Sequence, residues 1–385
     1  MYDIPLSIPI INEEEKSFVN DCLDSGWVSS AGKYVEEFEN GIRDYVDSKY
    51  AIACVNGTSA LQISLIVAGV DQDDEVIVPT LTFIASVNPI SYLGASPIFM
   101  DSNDFFLMDI DKTIHFLKNE TIFKNGYTYN KKTKKRIKAI IPVHVWGNAI
   151  FFDDLKYICR EMNITIIEDA AESLGSKYIS GSFQGRHTGT IGTVSCYSFN
   201  GNKIITTGGG GMIVTDDEKI AEKSKYLTTQ AKNDAKKYIH NEIGYNFRLT
   251  NIQAALGLGQ LKNLDMILKK KRSIFKTYKN ILKKINGLSI YDVPNYAQNN
   301  HWINMLRVDQ EIYGKSAMDL HKIFERNKIE TRPVWFLNHM QKPYTDFQSY
   351  HIEKANSLIQ NSICMPSSIN ISPQNFDNIF EVLNG

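Results

Sequence analysis

Disulfide and metal frameworks are the first things this sequence lacks. Its five cysteines (Cys22, Cys54, Cys159, Cys196 and Cys364) are odd in number, scattered and free of any CxxC pair. That excludes a disulfide-stapled fold and a zinc module, and it points to reduced buried thiols in a cytoplasmic protein. Net charge is lacking too: 42 Lys and Arg against 43 Asp and Glu leave −1. Bulk electrostatics therefore exclude a general polyanion binder, nucleic acid included. No stretch reaches the ~20 apolar residues of a membrane helix. The opening "MYDIPLSIPIINEEEKS" has neither a basic region nor a continuous apolar one, so no signal peptide and no membrane partner are expected. There is no internal repeat and no low-complexity linker. What remains is 385 residues, 43% hydrophobic, with 19 Phe and 19 Tyr, enough for a large core and two domains.

The apolar residues fall into short continuous runs: "AIACV" (51–55), "EVIVP" (75–79), "SPIFM" (96–100), "IKAIIPVHVWG" (137–147), "ITIIEDAAE" (164–172), "TVSCYSF" (193–199) and "GMIVTDD" (211–217). Segments of helical spacing, such as "ALQISLIVAGV" and "DDLKYICREM", lie between them. This alternation predicts an α/β fold with a largely parallel sheet covered on both faces. A long amphipathic helix is expected from about Leu249. The texture becomes α+β after "NGL" (286–288), which places a large domain at 1–286 and a small one at 287–385. Two basic runs, "YNKKTKKRIK" (129–138) and "KKKR" (269–272), lack a nucleic-acid-binding context. They read as an exposed loop and as the solvated face of a helix.

Open α/β sheets bind ligands beyond the carboxyl ends of their strands. The unusual residues sit there. "NGNKIITTGGGG" (200–211) holds Lys203 beside four glycines. A surface turn, a phosphate cradle and a covalently acting lysine are all compatible with it. "NGTSAL" offers Gly57, Thr58 and Ser59 at a helix start suited to an anion, or an ordinary cap. Phe83 follows a strand and is either a flat wall or a core residue. Asp169 ends "ITIIED" 34 residues before Lys203; taken alone, Glu168-Asp169 reads first as a helix N-cap pair. Ser198 adds a hydroxyl, and Ala170-Ala171 permit close approach of a ring. Anion turn, aromatic, strand-end Asp, then lysine is the order used by fold-type I pyridoxal-phosphate enzymes. There a carboxylate keeps the pyridine nitrogen protonated and a lysine amine takes the aldehyde.

In these stretches, and in "SGWVSSAGKYVEEFE" (25–39), "PVHVWG" (142–147) and "GYNFRLTNIQAALGLGQL" (244–261), the chain resembles the DegT/DnrJ/StrS sugar aminotransferases over nearly its whole length. The resemblance implies a fold-type I aminotransferase with a mostly parallel, seven-stranded-type sheet and a small C-terminal α+β domain. It implies pyridoxal 5′-phosphate held by Lys203, with Asp169 on the pyridine nitrogen and Gly57, Thr58 and Ser198 on the phosphate. It also implies a homodimer with shared sites, Asn246 of "GYNFR" reaching the phosphate across the interface beside Arg248. Glu172, counted among the cofactor residues, stands where some members carry His or Gln. Some relatives that act as dehydratases replace the lysine by histidine; the lysine here implies transamination. "EDAAES" and "SFNGNK" resemble most the subgroup acting at C4 of nucleotide-linked 4-keto-6-deoxy sugars, with the LegC type of legionaminic acid synthesis nearest. The implied reaction moves an amino group from L-glutamate, releasing 2-oxoglutarate, to a 2-acetamido sugar, UDP-linked rather than GDP-linked. The alternatives are a GDP-perosamine-type enzyme, a C3 aminotransferase, or a cofactor-bound sensor without turnover. Trp335, Phe336, Arg332 and His339 in "TRPVWFLNH" are candidates for contacting the sugar nucleotide, each equally readable as core or surface.

Overall fold

The computed structural model describes residues 2–234 and 236–385. An eight-stranded sheet forms the centre, in the order Tyr50–Cys54, Gly211–Thr215, Val194–Ser198, Thr165–Asp169, Ile137–Ile140, Glu75–Pro79, Ser96–Met100, Ser349–Tyr350. Only Gly211–Thr215 runs against its neighbours; the other pairings are parallel. Strands such as Glu75–Pro79 are buried at every position, which is why they read as unbroken apolar runs rather than alternations. Seven strands coincide with the runs in the sequence. The eighth is a two-residue pairing supplied by the C-terminal part of the chain, too short to leave a pattern.

Both faces are covered. The Gly57–Val67 helix, apolar nearly all round, buries Ala60, Leu61, Ile63 and Leu65. Phe116, Leu155 and Cys159 from the Ile110–Asn119 and Asp153–Glu161 helices pack the opposite face. Two N-terminal helices, Glu13–Ser25 and Lys33–Val46, went unread in the sequence. The second has the required spacing: Tyr34, Phe38, Ile42 and Val46 recur every fourth residue and are all buried. None of the described helices is long and apolar enough to cross a membrane.

The long helix expected from Leu249 is two, Asn251–Lys262 and Leu264–Leu282. Asn263 breaks it. Its side chain donates to the Gly259 carbonyl and its backbone N–H turns to Gln260, an alternative bonding pattern that asparagine offers the chain. Beyond it, Leu288–Ile290, Asn304–Val308, Ser362–Met365 and Arg332–Pro333 form a second, antiparallel sheet. Its core joins Leu306, Phe324 and Ile379 to Tyr278 and Leu282 of the preceding helix.

The first basic run is an exposed turn at 131–134, as expected, set between ordered flanks; the second is only partly a solvated helix face. Residues Thr121–Lys124 and Tyr127–Asn130 pair as a hairpin. Asn125-Gly126, a strong two-residue turn signal, closes it. Arg136 then makes two hydrogen bonds to Asp74, at 2.7 and 2.6 Å. In "KKKR", Lys269 and Lys270 are exposed, but Lys271 is buried. It lies three and four residues after Leu268 and Ile267, on the apolar face of its helix. Its ammonium donates to the carbonyls of Trp302 and Ser367, at 2.9 and 2.6 Å. Burial lowers its pKa to about 7.

Candidate functional site

The carboxyl ends of the central strands surround a cavity of about 310 Å³. Register explains what meets there. Cys54, Gly211 and Ser198 lie opposite one another on three adjacent strands. The turn after Cys54, the end of the glycine run and the serine are therefore held side by side. This answers why the glycines are needed: a Cβ on Gly211 would come within 2.5 Å of the Asn56 carbonyl group. Gly57 is pressed against the next wall, where a Cβ would meet Ser198 Cβ at 2.8 Å.

Asn56 caps the Gly57–Val67 helix, its side chain accepting the Ser59 N–H at 2.8 Å. The helix supplies no acceptor for the N–H groups of Gly57 and Thr58. Those two residues line the cavity with Ser198. Together with the positive end of the helix they make an anion cradle. Ser59 is different: it is buried in the helix and is not part of the lining.

Asp169 ends its strand 5% exposed. Its Oδ2 accepts from Ser86 Oγ at 2.6 Å, and its Oδ1 accepts the Ala171 N–H at 3.0 Å and Cys196 Sγ at 3.7 Å. The carboxylate is thus fixed from three segments. Glu168, its neighbour, points elsewhere. It accepts from His144 Nε2 and from the N–H groups of Gly189, Ile191 and Gly192. Burial works to raise its pKa, but these donors hold it below the usual value. The pair is therefore no helix cap.

Lys203 enters opposite. Its Nζ is 3.4 Å from Glu172 Oε1 and 3.9 Å from the centroid of the Trp302 ring. Glu172 is 6% exposed, and its other oxygen accepts the Trp146 N–H at 2.7 Å. Burial pushes its carboxyl upward, Lys203 partly opposing this. Phe83 stands half exposed on the cavity wall, 6.1 Å from Trp335, which in turn stacks on Trp146 at 4.9 Å.

The cavity thus gathers Gly57, Thr58, Phe83, Asp169, Glu172, Ser198 and Lys203. It does not gather Asn246, which is exposed, outside the lining, and accepts from Arg248 at 3.3 and 3.2 Å. Of the four residues considered for the sugar nucleotide, only Trp335 lines the cavity. Arg332 is exposed and pairs with Glu330 at 2.6 Å, Phe336 is exposed, and His339 bonds Thr80 at 2.6 Å. Sequence reasoning missed Asn56, Ser86 and Trp302. Asn56 carried a signal, as an N-cap residue directly before a helix.

An anion cradle, a fixed carboxylate, an amine and flat aromatic walls form the complement of pyridoxal 5′-phosphate: phosphate, pyridine nitrogen, aldehyde and ring. Comparison with known proteins agrees with this chemistry. Residues 9–384 match the DegT/DnrJ/EryC1/StrS aminotransferase family. The GDP-perosamine synthase of Escherichia coli O157:H7 is 37% identical over 384 residues, covering 99% of this chain and 98% of the relative. The GDP-perosamine synthase of Vibrio cholerae is 34% identical over 365 residues, 94% of each. A DegT DnrJ EryC1 StrS aminotransferase from Brucella abortus superposes with a TM-score of 0.86 at 25% identity, over 97% of this chain and 95% of that one. The cavity chemistry and these likenesses converge: the chain belongs to the DegT/DnrJ/EryC1/StrS aminotransferase family and is a pyridoxal-phosphate-dependent sugar aminotransferase.

Proposed function

We propose that the enzyme transfers an amino group from L-glutamate to C4 of a GDP-linked 4-keto-6-deoxy hexose. The observation that carries this reading is the similarity, over nearly the full length, to GDP-perosamine synthases at 37% and 34% identity. The expectation of a LegC-type enzyme using a UDP-linked 2-acetamido sugar is not what these relatives favour; the perosamine-type alternative takes its place. Turnover against a panel of GDP- and UDP-linked 4-keto-6-deoxy sugars tests it. The GDP sugars should be aminated with at least tenfold higher kcat/KM, and product NMR should place the nitrogen on C4. Preference for UDP sugars, or an amine at C3, would defeat the assignment.

Pyridoxal phosphate, when bound, supplies an electron sink for the pair left when a proton leaves the donor carbon. The chain's residues do the rest. The helix start at Gly57 and Thr58, with Ser198, would hold the phosphate. Asp169, kept aimed by its three donors, would favour a positive charge on the pyridine nitrogen. Phe83 and Ala171 would confine the ring. Lys203 Nζ would hold the aldehyde and, when free, would move the proton between the donor carbon and the sugar carbon.

The reading includes a homodimer in which Asn246 of the partner subunit completes the phosphate site. Its exposure outside its own chain's cavity is compatible with that role. Mixing Lys203→Ala with Asn246→Ala subunits should then restore activity, since each mixed dimer contains one site with both residues intact. Random exchange predicts about a quarter of the parent activity. No recovery after verified exchange would place Asn246 outside the site.

A further inference from the structure

The end of Lys203 rests between two walls that come from different parts of the fold. Trp302 is held at three points. Its ring N–H donates to the Asn202 carbonyl at 2.5 Å, its backbone N–H to Asn300 Oδ1 at 3.0 Å, and its carbonyl accepts from buried Lys271 at 2.9 Å. Glu172 is held as firmly. Trp146, whose N–H donates to Glu172, has φ 49 and ψ 31. That is the left-handed region, unfavourable for so bulky a side chain and found where surroundings enforce it. Both walls of the Lys203 amine are thus fixed by their own hydrogen bonds.

An ammonium cannot attack an aldehyde, so the amine must first lose a proton. Water is a poor recipient here, because the Lys203 and Glu172 side chains are only 13% and 6% exposed. Asp169 is the other buried carboxylate of the cavity, but Ser86 and the Ala171 N–H engage its oxygens. Glu172 Oε1, 3.4 Å away, is left for the role.

We infer that Glu172 is the proton acceptor that frees the Lys203 amine when the enzyme takes up its cofactor, and that the Trp302 ring holds the ammonium in reach beforehand. The inference rests on Lys203 being the cofactor-binding lysine. In the step, one N–H bond at Nζ breaks and an O–H bond forms at Oε1. The electron pair stays on nitrogen, which becomes the nucleophile, and the carboxylate becomes a neutral acid. No other reactant is required. The environment suits the product: burial, and the nearby charge of Asp169, favour the protonated form of Glu172.

The test is the rate at which full-length protein stripped of cofactor captures pyridoxal phosphate. It is followed by absorbance and by borohydride trapping on the Lys203 peptide. Glu172→Gln keeps the shape but takes no proton, and should slow capture by about 10²-fold while still reaching full labelling of Lys203. In Glu172→Ala, added formate should restore the rate in proportion to its concentration. Trp302→Phe should capture at near the parent rate and Trp302→Leu more slowly. Capture by Glu172→Gln at the parent rate would overturn the inference, as would a slow Ala variant indifferent to formate. Trapped label on a different lysine in the parent protein would overturn the Lys203 assignment instead.

Discussion

Lys203→Ala is expected to lose nearly all turnover, by about 10⁴-fold or more, while remaining folded and binding cofactor without a covalent bond. The loss is large because one amine has three tasks. On the proposed assignment it would take the aldehyde, remove the proton from the donor carbon, and deliver a proton to the sugar carbon. Each requires an atom beside the cavity centre, and Nζ is the only amine among the lining residues. A factor of 10⁴ is about 5 kcal/mol of barrier. The fold should tolerate the change. Removing the side chain leaves Glu172 without its cation, but that carboxyl can become neutral by holding a proton, so no uncompensated charge is buried. Borohydride reduction of the parent protein followed by peptide mapping should put the pyridoxyl mass on the peptide containing Lys203. Label elsewhere, or an active alanine variant, would sink the assignment.

The parts of this site that could be read in the sequence are those set by local chemistry. A buried parallel strand must be apolar throughout, so its end is visible as the point where polar residues begin. Asp169, Ser198 and the turn at Gly57 were legible for that reason. Lys203 was legible from the glycine run, though the need for those glycines became clear only from the rung joining Cys54, Gly211 and Ser198. Ser86 and Trp302 were not legible. Ser86 reaches Asp169 across 83 positions of sequence, and Trp302 reaches Asn202 across 100. Nothing in "FIAS" or "HWIN" signals such partners. Lys271 shows the reverse failure. Its charge suggested solvent, whereas its spacing from Ile267 and Leu268 on the helix placed it inside. Position on the helix outweighed residue type because two backbone carbonyls were there to receive the ammonium.

The substrate remained the least legible feature because little of the chemistry that selects a nucleotide is local. Arg332 was a reasonable guess for a diphosphate, yet it is exposed and engaged with Glu330. Phe83 and Trp335 give the cavity an apolar aromatic wall, but such a wall does not distinguish guanine from uracil. The proposal of a GDP-linked sugar therefore rests on similarity to GDP-perosamine synthases.

Asp169→Asn should lower kcat by 10²- to 10³-fold, about 3–4 kcal/mol, with the fold intact. Asparagine has nearly the same shape, so the strand end and its turn should persist. What changes is charge. The anion now held by Ser86, the Ala171 N–H and Cys196 is replaced by a neutral amide. A neutral partner would no longer favour a proton on the pyridine nitrogen of the bound cofactor, and the electron sink it supplies would be weaker. The new Nδ2 would also face at least one group that now donates to Asp169, either the Ser86 hydroxyl or the Ala171 N–H. Ser86 can rotate its hydrogen toward Thr82 Oγ1, 2.9 Å away, so this conflict has an outlet and the stability cost should stay near 1 kcal/mol. Thermal unfolding and far-UV circular dichroism would check the fold, and the cofactor's absorption maximum would report the ring's protonation. A variant with parental activity and an unchanged spectrum would reduce Asp169 to a turn-forming residue. A variant that unfolds would leave the electrostatic claim to Ser86→Ala, where loss of one donor should cost several-fold in kcat without disturbing the charge.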